Sequence, residues 1–265
     1  MNNPSAFSGS ERELLAMTAD LDEMNNDIAV PAMRDGVAAM IEGLHERSAS
    51  RRSFLTGAGA LAATLVGAGA LPGVAGAATR VASATSHARE PLAFPPKGLS
   101  GDLAVAAVAA SLENLAVFAY SAGLSAASAG KLGSVPAAVA TFATTARAQH
   151  RQHAAAWNGV LRAHGKAAVR VTNPTLTKVV EADFAKVKTV VDLANLALTL
   201  ETIAAETYQV EVSHLSSAAA IGLSASIQPV EMQHIAILYY VLGEYPGAQS
   251  AGGQPLAFSS TAKAV

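Results

Sequence analysis

Residues 229–238 read PVEMQHIAIL. Within this apolar stretch Glu231 and His234 stand three residues apart, a spacing that puts them about 60° apart on one helical face. Their neighbours on that face, Ile227, Leu238 and Val241, are apolar, so a helix here aims both ionisable groups at a core. Upstream, residues 199–208 read TLETIAAETY, with Glu201 and Tyr208 seven apart and therefore on a common face. The same plan occurs once before. Residues 111–120 read SLENLAVFAY, with Glu113 and Tyr120 seven apart, and residues 148–157 read AQHRQHAAAW. There the inward stripe is Val139, Phe142, Ala146, His150, His153, Trp157 and Val160. Burying an ionised carboxylate costs several kcal/mol unless it is paired or coordinated. Four helices that each aim such groups at one core make a shared cation the economical explanation.

The predicted helices are long and four in number. The first spans about 100–129 and stops at Gly130. The second starts at Pro136 and stops at Gly165. The third spans about 189–214. The fourth runs from Ser216-Ser217 to about Leu242, with Gly243 and Pro246 beyond it. Pro229 falls inside the fourth and predicts a kink or a late start. Thr172-Asn173-Pro174 separates the halves, with a short helix predicted at 176–187. Two hairpins joined by one long crossover make an all-α four-helix bundle.

Composition agrees. Apolar residues supply 51% of the chain and charged residues 14%, against an ordinary quarter. The net charge of −2 excludes a broadly basic nucleic-acid binder. With no cysteine, disulfides, thiolate metal sites and cysteine nucleophiles are excluded too.

Ahead of the bundle the pattern changes. Leu14, Met17, Leu21, Met24 and Ile28 recur at helical spacing, Pro31 interrupts them, and Met33, Val37, Met40, Ile41 and Leu44 resume. This stretch reads as a long signal n-region with a weak helix, or as a docking handle for a chaperone. From Ser53 to Thr79 no residue is charged, and Ala75-Gly76-Ala77 is a small-x-small pattern suited to signal peptidase. Ser50-Arg51-Arg52-Ser53-Phe54-Leu55 resembles the twin-arginine export signal. That resemblance implies the twin-arginine translocation machinery as partner, a transient membrane contact through the signal, and a destination in the periplasm, cell wall or medium. An uncleaved segment would instead be an anchor. The expected organisation is an n-region over 1–52, an apolar segment and cleavage site over 53–77, a linker over 78–98, a bundle over 99–245 and a tail over 246–265.

The four motifs together resemble the ferritin-like superfamily, in particular exported bacterial ferritin-like domain proteins with twin-arginine signals. Diiron members of that superfamily take one Glu from each of two helices and a Glu-x-x-His from each of the other two. The resemblance assigns Glu113 and Glu201 to the single-Glu positions, Glu231 and His234 to an intact second motif, and His153 to the His of the first. His150 stands where that motif has Glu, so the set offers three carboxylates and three imidazoles. Tyr120 and Tyr208 are then hydrogen-bond donors behind the ligands or core. Trp157 is a core anchor, Glu206 faces elsewhere, and Glu211, His87, His164 and His214 are surface or loop residues. The implied cofactor is iron, mono- or dinuclear. Manganese stays open, and histidine ligation moves the preference toward zinc, iron or copper. The implied activities are oxidation of Fe(II) or peroxide handling, and storage would need assembly of many copies. The rival reading is a non-catalytic helical bundle of the cell envelope with a structural or stress-protective role.

Overall fold

The computed structural model describes Phe7, residues 9–54 and residues 98–244. The expected apolar segment beyond Phe54, the cleavage site, most of the linker with His87, and the tail lie outside these residues. Among the described residues the chain is helical and contains no strand: α1 (Glu11–Met24), a π-helical segment (Asn25–Ala29), α2 (Val30–Phe54), α3 (Asp102–Ser128), α4 (Ala137–Ala163), α5 (Pro174–Phe184), α6 (Val190–Glu211) and α7 (Ala218–Val241). Helices α3 and α4 pack as one hairpin, α6 and α7 as the other, and α5 lies on the crossover between them. This is the four-helix bundle with one long connection that the helical periods predict.

Local chemistry sets the helix ends. At α6 the Thr189 hydroxyl accepts from the Asp192 N–H while the Asp192 carboxylate accepts from the Thr189 N–H, a reciprocal cap. Ser217 caps α7 through the Ala220 N–H, and Asn173 caps α5. Gly165 ends α4 at φ +69°, a left-handed conformation costly for any residue with a Cβ. The Asp102 carboxylate at the start of α3 accepts from the N–H and hydroxyl of Ser216 and from the Ser217 N–H. That ties the α6–α7 turn to the opposite hairpin. Helix α7 continues through Pro229. Ile227 and Val230, both fully buried, hold the backbone on either side of the missing N–H. Helix α3 is long and apolar enough to cross a membrane by length and composition, yet half of its most apolar stretch is buried inside the bundle.

The segment ahead of the bundle is part of its packing. Helices α1 and α2 lie along α4 and α7. Leu14 and Leu21 are wholly buried there, and Ala29, Met33 and Met40 nearly so. Glycines allow the close approach. A Cβ on Gly159 of α4 would meet Val37 at 3.2 Å, and one on Gly36 of α2 would meet the Ala219 carbonyl at 3.3 Å. The Ser10 N–H donates to the Tyr240 hydroxyl, which donates to Glu13. The expected interruption at Pro31 is corrected: the chain stays helical, and the π segment just before Pro31 takes up the extra residue. The wider turn shifts the inward register to Leu21, Asn25, Ala29 and Met33. As a result Ile28 is 65% exposed, against the α-helical expectation, and further along Ile41 is 40% exposed beside the buried Met40. Leu21→Ala in the full chain is expected to cost about 2–5 kcal/mol of unfolding free energy. Urea titration measures it, and a change within ~0.5 kcal/mol, typical of surface sites, would mean that α1 adds nothing to the fold.

Candidate metal centre

Each of the four bundle helices contributes a pair of polar residues to the core at helical spacing. Helix α3 brings Glu113 and Tyr120, α4 brings His150 and His153, α6 brings Glu201 and Tyr208, and α7 brings Glu231 and His234. All eight are buried, and the six Glu and His are no more than 2% exposed. The structure therefore gathers every Glu and His that the motifs single out.

The contacts form one continuous network. His150 Nδ1 is 2.8 Å from Glu113 Oε2 and 3.7 Å from Glu231 Oε1, while its Nε2 is 3.1 Å from Glu201 Oε1. His153 Nδ1 is 2.9 Å from Glu231 Oε1 and 3.5 Å from Glu113 Oε2. His234 Nδ1 is 3.2 Å from both Glu201 Oε2 and Glu231 Oε2. Two overlapping groups emerge, Glu113/His150/His153/Glu231 and His150/Glu201/Glu231/His234, each with its donor atoms within 4.8 Å of one another. Glu231 and His150 belong to both.

The tyrosines cross between hairpins. Tyr120 of α3 donates to Glu201 of α6, and Tyr208 of α6 donates to Glu113 of α3. Trp157 stands behind the second pair and donates its indole N–H to the Tyr208 oxygen at 3.0 Å. Each tyrosine serves the Glu of the other hairpin rather than that of its own helix. Trp157 is wholly buried, as a core anchor requires.

Burial by itself would raise the carboxyls and lower the imidazoles, and the network overrides it. Burial opposes ionisation of Glu113, but the His153 charge and the His150 hydrogen bond bring its pKa down to about 2. Glu201 is likewise held well below the carboxylate range by His150 and His234, against burial. Burial lowers His153, yet Glu113 and Glu231 lift it to about 9. His150 and His234 are raised in the same way, by Glu201 first in both cases. Burial and the neighbouring carboxylates push both tyrosines well above 10, so their hydroxyls stay protonated and donate. The carboxylates thus favour the protonated form of His150, His153 and His234, and the imidazoles favour the ionised form of Glu113 and Glu201.

Hydrogen bonding leaves part of this core unsatisfied. Both nitrogens of His153 and Glu231 Oε1 are buried without a hydrogen-bond partner, even though His153 Nδ1 and Glu231 Oε1 approach to 2.9 Å. A close N···O approach whose N–H does not point at the oxygen is the relation of two ligands on a common ion. With bonds of ~2.1 Å to such an ion, adjacent donors lie ~3 Å apart. The donor set, imidazole and carboxylate, suits zinc, iron and manganese. The residues present therefore fit a divalent metal.

Other assignments change. Glu211, expected at the surface, is 7% exposed at the end of α6, with Oε2 unpartnered. Burial, followed by the charge of Glu113, raises its pKa well above the ordinary value. Glu206 is buried too, outside both donor groups. His164 and His214 lie at helix ends, as expected. Sequence reasoning passed over Gln149. It is 1% exposed, and its Oε1 lies 2.8 Å from His234 Nε2. Adjacent to His150 and off its stripe, it carried no periodic signal.

The family model described as a ferritin-like domain matches residues 101–244, all four long bundle helices. The chain belongs to the ferritin-like domain family. The match begins at Gly101 and so excludes α1 and α2. No curated protein and no solved structure matches the chain. Membership accounts for the four-helix bundle, within whose core this chain places its buried Glu and His cluster.

Proposed function

We propose that this chain is an exported ferritin-like metal-binding protein that holds iron on Glu113, His150, His153, Glu201, Glu231 and His234. The observation that carries this reading is the His153–Glu231 approach, with its unpartnered buried atoms inside a core of three carboxylates and three imidazoles. A neutral imidazole donates through one nitrogen at a time, so His150 serves one donor group and leaves the other a ligand short. One ion is therefore held tightly and a second weakly. A redox-active ion there supplies one-electron chemistry with ferrous iron or peroxide, shielded from water by the bundle. Export rests on Arg51-Arg52, the uncharged run after them and Ala75-Gly76-Ala77. The twin-arginine route accepts folded proteins, which suits metal loading before transport.

The test is metal analysis of the purified full chain with competition among Fe(II), Mn(II) and Zn(II), followed by Fe(II) oxidation in air. About one tightly bound ion per chain is expected. His150→Glu, which restores the fourth carboxylate, is expected to bring two. Absence of any tightly bound metal in both chains would overturn the reading. Stoichiometric metal with no faster Fe(II) oxidation would favour a binding role over an enzymatic one. N-terminal sequencing of the exported form is expected to begin at Ala78, so the contacts of α1 and α2, Asp22 included, act in the full-length precursor while it folds and loads metal.

A further inference from the structure

The segment ahead of the bundle reaches the metal centre through one side chain. His234 turns Nδ1 toward Glu201 and Glu231 and Nε2 toward Gln149 Oε1, at 2.8 Å. The other end of the Gln149 amide, Nε2, donates to Asp22 Oδ1 of α1 at 3.3 Å. Asp22 is on the exposed side of α1, and Gln149 is buried. The following π segment holds this register: Asn25, wholly buried, donates to Gln152 Oε1 of α4 at 2.7 Å, and Gln233 of α7 donates to Met24 Sδ. Single π turns inside helices cluster at functional sites, because they re-aim side chains at a fixed cost in register.

We infer that Asp22 is a positioning residue for the metal centre: it fixes the Gln149 amide so that His234 carries its proton on Nε2 and presents Nδ1 to the ion. This rests on the metal-binding reading above. The logic is one of donors and acceptors. An ionised carboxylate only accepts, so Asp22 selects the amide orientation with nitrogen outward and oxygen inward. An inward oxygen only accepts, so the facing imidazole nitrogen must be N–H. A neutral ring with its proton on Nε2 has its lone pair on Nδ1, the nitrogen facing Glu201 and Glu231. In metal sites the hydrogen bond at the second ring nitrogen sets which nitrogen binds, and losing that partner typically weakens metal binding ~10–100-fold. Here the control lies in a segment that precedes the family-matched region altogether.

The informative variant is Asp22→Lys in the full chain. An ammonium only donates, so it draws the Gln149 oxygen outward and turns the amide NH2 toward His234. The ring must then accept at Nε2 and carry its proton on Nδ1, where it blocks the ion. Zn(II) affinity is expected to fall ~10–100-fold, and Asp22→Asn, whose amide offers either end, is expected to fall between. The ¹⁵N spectrum of His234 reads the switch directly, through the coupling of its Nε2–H to the Gln149 carbonyl in the parent chain and its loss in Asp22→Lys. Because Asp22 is exposed, the variant keeps the core. Parent-like Zn(II) affinity together with a parent-like His234 spectrum in Asp22→Lys would overturn the inference. If the parent chain itself binds no Zn(II), the metal-binding reading fails. The Nε2–H coupling in the metal-free chains then still decides the orientation: its persistence in Asp22→Lys overturns the inference, and its loss upholds Asp22 as the residue that orients Gln149 and His234.

Discussion

Glu231→Gln is expected to weaken binding of both ions together, by more than the ~100-fold upper range for losing a residue behind the ligands. Glu231 is the carboxylate common to the two donor groups, with Oε1 facing His153 and His150 and Oε2 facing His234. Glutamine keeps the shape and removes the charge, so the effect isolates the anionic donor. Glu113→Gln and Glu201→Gln each damage one group and leave the other whole. One of the two is expected to lose the tightly held ion and the other only the weakly held one. Calorimetric titration of Zn(II) into the three variants separates the cases, with far-ultraviolet circular dichroism as the check that each still folds. Equal losses in all three variants would mean a single ion shared by the whole cluster. Parent-like binding in Glu231→Gln would remove the centre from consideration.

Much of this centre was legible in the chain because helical spacing is a strict geometric filter. Glu113, Glu201, Glu231 and His234 fall on inward stripes among apolar residues, and a bundle has only one interior to share. The helix ends were legible for a similar reason, since Gly130, Gly165 and Gly243 all adopt positive φ just past a helix. What period could not convey was pairing across the bundle. Tyr120 and Glu113 share a face, yet the Tyr120 hydroxyl reaches the opposite hairpin, because a seven-residue offset along one helix spans about 10 Å while the facing helix is nearer. The register of residues 24–33 was hidden because one π turn displaces every later side chain. Gln149 was hidden because a neutral amide beside a histidine looks like surface until Asp22 is brought beside it by a helix more than a hundred residues away in sequence.

Metal uptake by this protein is expected to be coupled to proton release, with a stability profile that reverses on loading. In the metal-free core His153 is held protonated up to about pH 9 by Glu113 and Glu231, and His150 and His234 are raised as well. Metal binds neutral imidazole, so each ligating histidine must give up its proton. Each donor group contains two histidines. The first ion therefore displaces about two protons, and affinity rises ~100-fold per pH unit between pH 6 and 8. Titration in buffers of different ionisation enthalpy counts those protons, and a pH-independent affinity would contradict the scheme. Stability follows with the opposite sign. The pKa of His153 is raised from 6.5, so its contribution is complete below pH 6.5 and is lost as pH climbs through about 9. The pKa of Glu113 is lowered from 4.5, so its contribution is present above pH 4.5 and is lost as pH falls through about 2. The metal-free chain should therefore be most stable between about pH 4.5 and 6.5 and lose Tm from there to pH 9. With Zn(II) or Fe(II) bound, the ion takes over the charge balance from the imidazole protons. The Tm of the loaded chain should then rise over the interval in which the metal-free chain loses stability, so the gap between the two curves widens with pH. Parallel Tm curves would mean that proton and metal do not compete for the same imidazoles.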